Sequence, residues 1–315
     1  MFSGRTGRYI IPRRKEAVLR KGILIANPVA GRGAAARALP RVIELLKEGG
    51  IDPAVLETSR PGDGRRFASR LAPDADLAIA VGGDGTVNEV VGGLIDGGLG
   101  RVPVGVIPFG TGNVVAKELG IPLDPAAAAR AVADGAPARL DVGTAGGRYF
   151  LFACGAGFDA EVVRRFSRSR AGAVRMVRYV PEIVRALVAY DFPEITVELD
   201  GEALPGAWSQ VLVANMRQYG GPLVVAAGAD PSDGLLDVVL MRGRGASYLR
   251  HMAGAYLGGR SGARGVRTLR GKRVALRSGS RVPLHVDGDA ASFLPVECGI
   301  LPGAALLIRP PAHAG

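Results

Sequence analysis

Asp84 lies inside a run of glycines, Gly82-Gly83-Asp84-Gly85-Thr86, directly after the apolar run Leu77–Val81. A strand that ends in glycines and opens a helix offers bare backbone N–H groups and a partial positive charge, which suits a phosphate. A carboxylate there repels phosphate unless it holds a metal ion or takes a proton; the alternative is that it only caps its own helix. Two other turns share the design: Asn27-Pro28-Val29-Ala30-Gly31-Arg32-Gly33 and Pro108-Phe109-Gly110-Thr111-Gly112-Asn113. One glycine turn can be mere chain reversal. Three at strand ends point to a phosphate cradle, with Thr86 and Thr111 able to cap a helix or bond a phosphate oxygen. No Gly-Lys-Ser/Thr of a Walker A loop occurs, and no turn has the G-x-G-x-x-G spacing of a dinucleotide site. Carboxylates gather again at Asp230, Asp233, Asp287 and Asp289. Asp233-Gly234 and Asp287-Gly288-Asp289 read either as polar turns or as carboxylates that hold a cation or accept a proton. If its segment is extended, Asp287 shares a face with Asp289 and could assist it.

The elements around these residues follow two patterns. From Gly22 to Asp134, short apolar runs (Gly22–Asn27, Asp52–Thr58, Leu77–Val81, Val102–Ile107) alternate with helical periodicity (Ala34–Glu48, Gly64–Leu71, Thr86–Ile95, Asn113–Leu119, Pro125–Asp134). That alternation predicts a parallel sheet with helices on both faces. Near Ala138 the pattern changes to a hairpin around Ala145-Gly146-Gly147, then helical stretches at Ala160–Arg168 and Val174–Ala189. Strand-like runs follow to Ala304–Ile308, broken by a helix at Ala246–Leu257, and predict an antiparallel sandwich or barrel.

A chain of 315 residues suits two domains at roughly 100–200 residues each. Hydrophobic content of 48% and charged content of 22% exclude a disordered, collagenous or coiled-coil chain. No apolar run approaches the ~18 residues of a membrane span. The basic stretch Met1–Lys21 lacks the apolar core of a secretory signal, and a cytoplasmic protein is expected. Two cysteines and three histidines argue against a disulfide scaffold and a Cys/His zinc site. The net charge of +11 is concentrated: Val238–Val286 holds eleven Lys/Arg and no acid. Such a segment suits an anionic membrane; its scarcity of aromatics argues against nucleic acid. The competing explanation is an arginine-biased composition. Met176, Val177, Val180, Ile183, Val184, Leu187 and Val188 could line a lipid cleft or pack as core.

The series NPVAGRG, GGDGTVNEVVGGL and PFGTGNVVAKELGIP resembles the diacylglycerol kinase catalytic domain family, which includes sphingosine kinases and small bacterial lipid kinases. GAGFDAEV (Gly155–Val162), DPSDGLLDVVL (Asp230–Leu240) and HVDGDA (His285–Ala290) match the bacterial branch. GGDGT alone is shared with NAD kinases. The resemblance runs from Gly22 to Pro310. It implies an α/β chain: a doubly wound parallel-sheet domain over residues 1–137 and a mainly antiparallel β-sandwich domain over 138–315, whose last strand could return to the first domain. It implies ATP as co-substrate, Mg²⁺, and a lipid acceptor reached at the membrane surface; a homodimer is compatible with it. Nucleotide binding would fall on Asn27, Thr58, Gly82, Gly83, Asp84, Gly85, Thr86, Val87, Asn88, Gly110, Thr111 and Asn113. Asp84 would work beside a catalytic Mg²⁺. A structural Mg²⁺ would take Asp233, the Leu235 carbonyl and a group at Asp230. The general base would be Asp289, where the family usually has Glu; the carboxylate is one methylene shorter here. NAD kinase, or a lipid or nucleotide sensor without turnover, are the competing expectations. No later Gly-Ser-Thr-Ala segment of the NAD kinase type occurs.

Overall fold

A computed structural model describes residues 19–72, 74–168, 179–219, 223–245, 247–251 and 265–311. In the first half, strands β1 (Arg20–Ala26), β2 (Ile51–Glu57), β3 (Leu77–Gly82) and β4 (Val104–Pro108) pair in parallel, in the order β2-β1-β3-β4. Every residue of β3 and β4 is buried, as expected for strands covered on both faces. Helices α1 (Ala30–Glu48), α2 (Asp63–Ala68), α3 (Asp84–Asp96), α4 (Val114–Glu118) and α5 (Pro125–Asp134) cover the sheet. Leu24, Ile25, Ile79 and Leu46 are fully buried in this core, each worth roughly 1.5–3 kcal/mol of burial. Regular helical geometry in α1 starts only after Gly31-Arg32-Gly33, whose φ angles of 59°, 60° and 79° are left-handed.

After α5 the chain becomes mainly antiparallel. Strand β5 (Ala136–Ala145) turns through Gly146-Gly147 into β6 (Arg148–Phe150). Strand β7 (Ala153–Gly157) leads into α6 (Phe158–Arg168), and α7 (Tyr179–Ala189) follows. The remaining strands are β8 (Thr196–Leu199), β9 (Glu202–Ala203), β10 (Gln210–Ala214), β11 (Gln218–Tyr219), β12 (Leu223–Val224), β13 (Leu236–Met241), β14 (Val266–Gly271), β15 (Arg273–Arg277), β16 (Pro283–Val286), β17 (Asp289–Phe293) and β18 (Val296–Arg309). A second sheet runs β14-β13-β10-β7-β16-β17. It packs against the antiparallel extension of the first sheet through Val211, Val213, Val238, Leu240, Val274, Leu276, Cys154 and Cys298.

Strand β18 is longer than the sequence pattern suggests and pairs β4 in parallel, β5 antiparallel and β15 antiparallel. Its register shifts between Leu301 and Ala305, where Gly303 is left-handed at φ 59°. Such a bulge is what lets one strand bend from one half of the molecule into the other. Asp141 pins it: one carboxylate oxygen accepts from Gly303 N at 2.7 Å and the other from Gly234 N at 2.6 Å.

Two expectations from the sequence change. The segment around Asp287 is not extended: Asp287 turns at φ 48°, and β17, unforeseen, begins at Asp289. Of the suggested cleft lining, Ile183 and Leu187 pack on the main core and Val188 is exposed, while Met176 and Val177 lie outside the described residues. Most of the expected helix Ala246–Leu257, and Arg260 and Arg264 of the basic segment, also lie outside them. Among the described residues, no helix is long and apolar enough to cross a membrane.

Candidate active site

The three glycine turns meet at the carboxyl ends of β1, β3 and β4. Asn27 N donates to Val81 O at 2.9 Å and Phe109 N to Gly82 O at 2.7 Å, so each turn starts on a neighbour's strand end. Thr58, directly after β2, donates its N–H to Ala26 O at 2.8 Å. A methyl group on Gly83 would come 3.1 Å from the Cα of Gly110. The second and third turns therefore touch backbone to backbone, as a cradle of N–H groups requires. Thr86 folds its hydroxyl back over Gly82, and Thr111 is exposed beside Gly112.

Side chains in these turns mainly knit the turns together. Asn27 Oδ1 accepts from Val29 N at 3.2 Å and Asn113 Oδ1 from Gly110 N at 2.8 Å. Asp84 does not cap its own helix; its Oδ1 accepts from Val115 N at 3.1 Å, at the start of α4. Burial raises the Asp84 carboxyl above the usual range, against the pull of the N–H groups of α4 and of Lys117. Val87 is core, and its N–H is used on Gly83 O at 3.1 Å. Asn88 turns its amide away from the turns, onto Asp287 Oδ2 at 2.7 Å and Tyr149 O at 3.0 Å.

Asp287 is the hub of the opposite wall. Besides Asn88 it accepts from Leu151 N at 2.7 Å, Phe152 N at 3.0 Å and Ala153 N at 3.1 Å. Burial pushes its carboxyl up to about 6, opposed by these donors. With four donors on two oxygens, it is a clamp rather than a helper base. Two residues later Asp289 is solvent-accessible and faces the glycine turns: a methyl group on Gly85 would lie 3.9 Å from Asp289 Oδ2. Partial desolvation raises the Asp289 carboxyl; Arg148 and His285 act to lower it, and Glu89 and Asp84 to raise it. A raised, accessible carboxyl is suited to taking a proton.

Of the expected structural metal ligands, both carboxylates have partners within the protein. Asp230 Oδ1 accepts from Ser232 N at 3.0 Å and Ser232 Oγ at 2.6 Å. Asp233 accepts from Leu235 N at 3.0 Å through Oδ1, and its Oδ2 is ion-paired with Arg270. Among the described residues, no group of three or more His, Cys, Asp or Glu converges on a point.

Sequence reasoning missed several residues here. His285 is fully buried, with Nε2 2.8 Å from the Tyr219 hydroxyl and 3.1 Å from Asp159 Oδ2, and Tyr219 donates to that same oxygen at 3.1 Å. A side chain on Gly155 would come 2.2 Å from His285 Nε2, so only glycine leaves room for the imidazole. Glu118 holds β11 to α4 through Arg217 Nε at 2.8 Å. Glu89 braces α2 by accepting from Gly62 N and Gly64 N. Gly155, Asp159 and His285 fall within the motif-bearing runs, where their types were visible but not their meeting; nothing in the sequence marked Tyr219.

The comparisons with known proteins agree with this geometry. Residues 21–145 match the diacylglycerol kinase catalytic domain, and residues 153–309 match the YegS C-terminal NAD kinase beta sandwich-like domain. A diacylglycerol kinase of Mycobacterium tuberculosis is 32% identical over 91% of this chain and 94% of its own length. One from Bacillus subtilis is 29% identical over 89% and 93%. A crystal structure of a Bacillus anthracis str. Sterne protein assigned as a diacylglycerol kinase superposes with a TM-score of 0.79 at 26% identity, covering 93% of this chain and 98% of that one. Turns, sandwich and full-length similarity together place the chain in the diacylglycerol kinase family.

Proposed function

We propose that this lipid kinase transfers the γ-phosphoryl group of ATP to a hydroxyl of a diacylglycerol-like, sphingoid or related lipid at a membrane surface. The observation that carries the reading is the approach of Asp289 to Gly85, which sets a proton acceptor over the glycine turns. The turns around Gly82–Thr86 and Gly110–Asn113 would hold the phosphates through backbone N–H groups. Asp289 would take the acceptor's hydroxyl proton as its oxygen bonds to the γ-phosphorus and the bond to the bridging oxygen breaks, releasing ADP. Mg²⁺ arriving with ATP would neutralise phosphate charge. Asp84 Oδ2, the oxygen not used on Val115, faces Gly112 at the phosphate end and is the fitting carboxylate for it. Arg242, Arg244, Arg250 and Arg267 are exposed and support contact with an anionic membrane.

The test is transfer of label from γ-labelled ATP into vesicles of phosphatidylglycerol carrying diacylglycerol or a sphingoid base, with NAD as the competing acceptor. A labelled phospholipid is expected. Label in NADP alone, or no transfer to any lipid, overturns the reading.

A further inference from the structure

The turn Asp230-Pro231-Ser232-Asp233-Gly234 is where the family resemblance implies a structural Mg²⁺, and its Asp233 carboxylate is already paired with a cationic side chain. Arg270, on β14, reaches across to β13 and the turn before it. Its terminal nitrogen is ion-paired with Asp233 Oδ2, and its Nε lies 3.2 Å from Asp237 Oδ2. The register explains the reach: Arg270 is directly opposite Asp237, four residues after Asp233. Asp237 is only 4% exposed, and a carboxylate so buried needs a cation or several donors. Two further oxygens are committed as well: Asp233 Oδ1 to Leu235 N, and Asp230 Oδ1 to Ser232. A divalent ion needs about six oxygens turned on one point. Here the two acids face a fork of N–H donors instead.

We propose that the Arg270 guanidinium is the resident cation of this turn, that the parent fold needs no divalent ion there, and that removing Arg270 opens a divalent-cation site at Asp233 and Asp237. The stability of the late half then depends on an ion pair between β14 and β13 and not on the metal supply. The binding of Mg²⁺ with nucleotide is a separate matter at the glycine turns.

The test uses the full chain without nucleotide. Melting temperature is measured in EDTA and in saturating MgCl₂ for the parent, Arg270→Ala and Arg270→Lys, and Mn²⁺ binding is followed by electron paramagnetic resonance in the parent, Arg270→Ala and Asp233→Asn/Arg270→Ala. The parent should melt alike in both buffers. Arg270→Ala should melt lower in EDTA and regain at least ~2 °C with Mg²⁺, as expected for a site filled only in the folded state. Arg270→Lys should stay insensitive to Mg²⁺. If Arg270→Ala does not fold in EDTA, folding restored by Mg²⁺ supports the proposal and failure in both buffers overturns it. Mn²⁺ should bind Arg270→Ala more tightly than the parent, and the gain should vanish with Asp233→Asn. A parent stabilised by Mg²⁺, or Mn²⁺ binding that ignores both Arg270 and Asp233, overturns the proposal.

Discussion

Two Asp-Gly turns in the late half of the chain look alike as strings and behave differently as structures. Asp287-Gly288-Asp289 faces the parallel-sheet half; Asp233-Gly234 faces its own sandwich. In the first, one carboxylate is saturated by four N–H donors and the other is left accessible above Gly85. In the second, Asp233 is closed by Arg270. An acid turn becomes chemistry when a neighbouring clamp fixes it while one oxygen pair stays open toward a ligand. It remains scaffold when a cation from the adjacent strand fills the gap.

The largest expected effect breaks the first turn at its open end. Asp289→Asn keeps size and shape but removes the proposed proton acceptor, so turnover should fall by roughly 10²–10⁴ with ATP affinity nearly intact. Asp289→Glu should stay active, since it lengthens the arm by one methylene. Turnover and nucleotide affinity measured on the three proteins check this, and an active Asn variant ends the assignment of Asp289 as base.

The second effect breaks the clamp. Asp287→Asn replaces one carboxylate oxygen by an NH₂ group, which must face either Leu151 N and the Asn88 amide or Phe152 N and Ala153 N, donors that a carboxylate accepts together. Leaving one such donor without an acceptor costs about 1–3 kcal/mol. Urea denaturation should show that loss, and turnover should fall with it, because the turn that carries Asp289 is then held by fewer hydrogen bonds. Unchanged stability would show that the clamp is dispensable.

The fold was largely legible because its signals are local. The runs at Leu77–Val81 and Val102–Ile107 read as buried parallel strands, and the glycine turns read as strand-to-helix joints. The site was legible in part. Asp84 was visible as a carboxylate among glycines, but its bond to Val115 depends on how two turns pack, which no spacing records. Asn88 looked like one more residue of the nucleotide turn, yet its partner is 199 positions away. His285, Asp159 and Tyr219 meet from β16, α6 and β11, a contact set by topology rather than by pattern. Only the end of β18, Ala304–Ile308, reads as a strand; its earlier part lies before a bulge at Gly303 held by Asp141, a contact no local pattern records.

The third prediction strikes the second turn and is smaller. The Arg270–Asp233 pair is partly exposed, at 42% and 26% of the side chains. Exposed pairs contribute about 0.2–1 kcal/mol. Asp233→Asn should therefore shift the urea midpoint far less than Asp287→Asn and leave turnover within about twofold, a change too small to register against the tenfold of 1.4 kcal/mol. A loss of stability matching that of Asp287→Asn would make the two turns equals after all.

The smallest effect separates the two arginines that attend these turns. Arg270 touches its carboxylates, whereas Arg148 acts on Asp289 through space, lowering a carboxyl that desolvation has raised. A base works only when deprotonated, so kcat/KM should rise with pH through the pKa of Asp289. Because that pKa is raised, the acid limb should lie above the ordinary ~3.9 of aspartate. Arg148→Gln removes the larger lowering charge, leaving only His285 to oppose the raising ones, Glu89 and Asp84. Its acid limb should therefore move further up, by a fraction of a pH unit in view of solvent screening around an exposed guanidinium. High salt should shrink the difference between the parent and Arg148→Gln, since a through-space interaction near water is screened and a contact pair is screened less. A limb that moves down in Arg148→Gln, or one unmoved by both salt and substitution, would mean that Asp289 is not the group the profile reports.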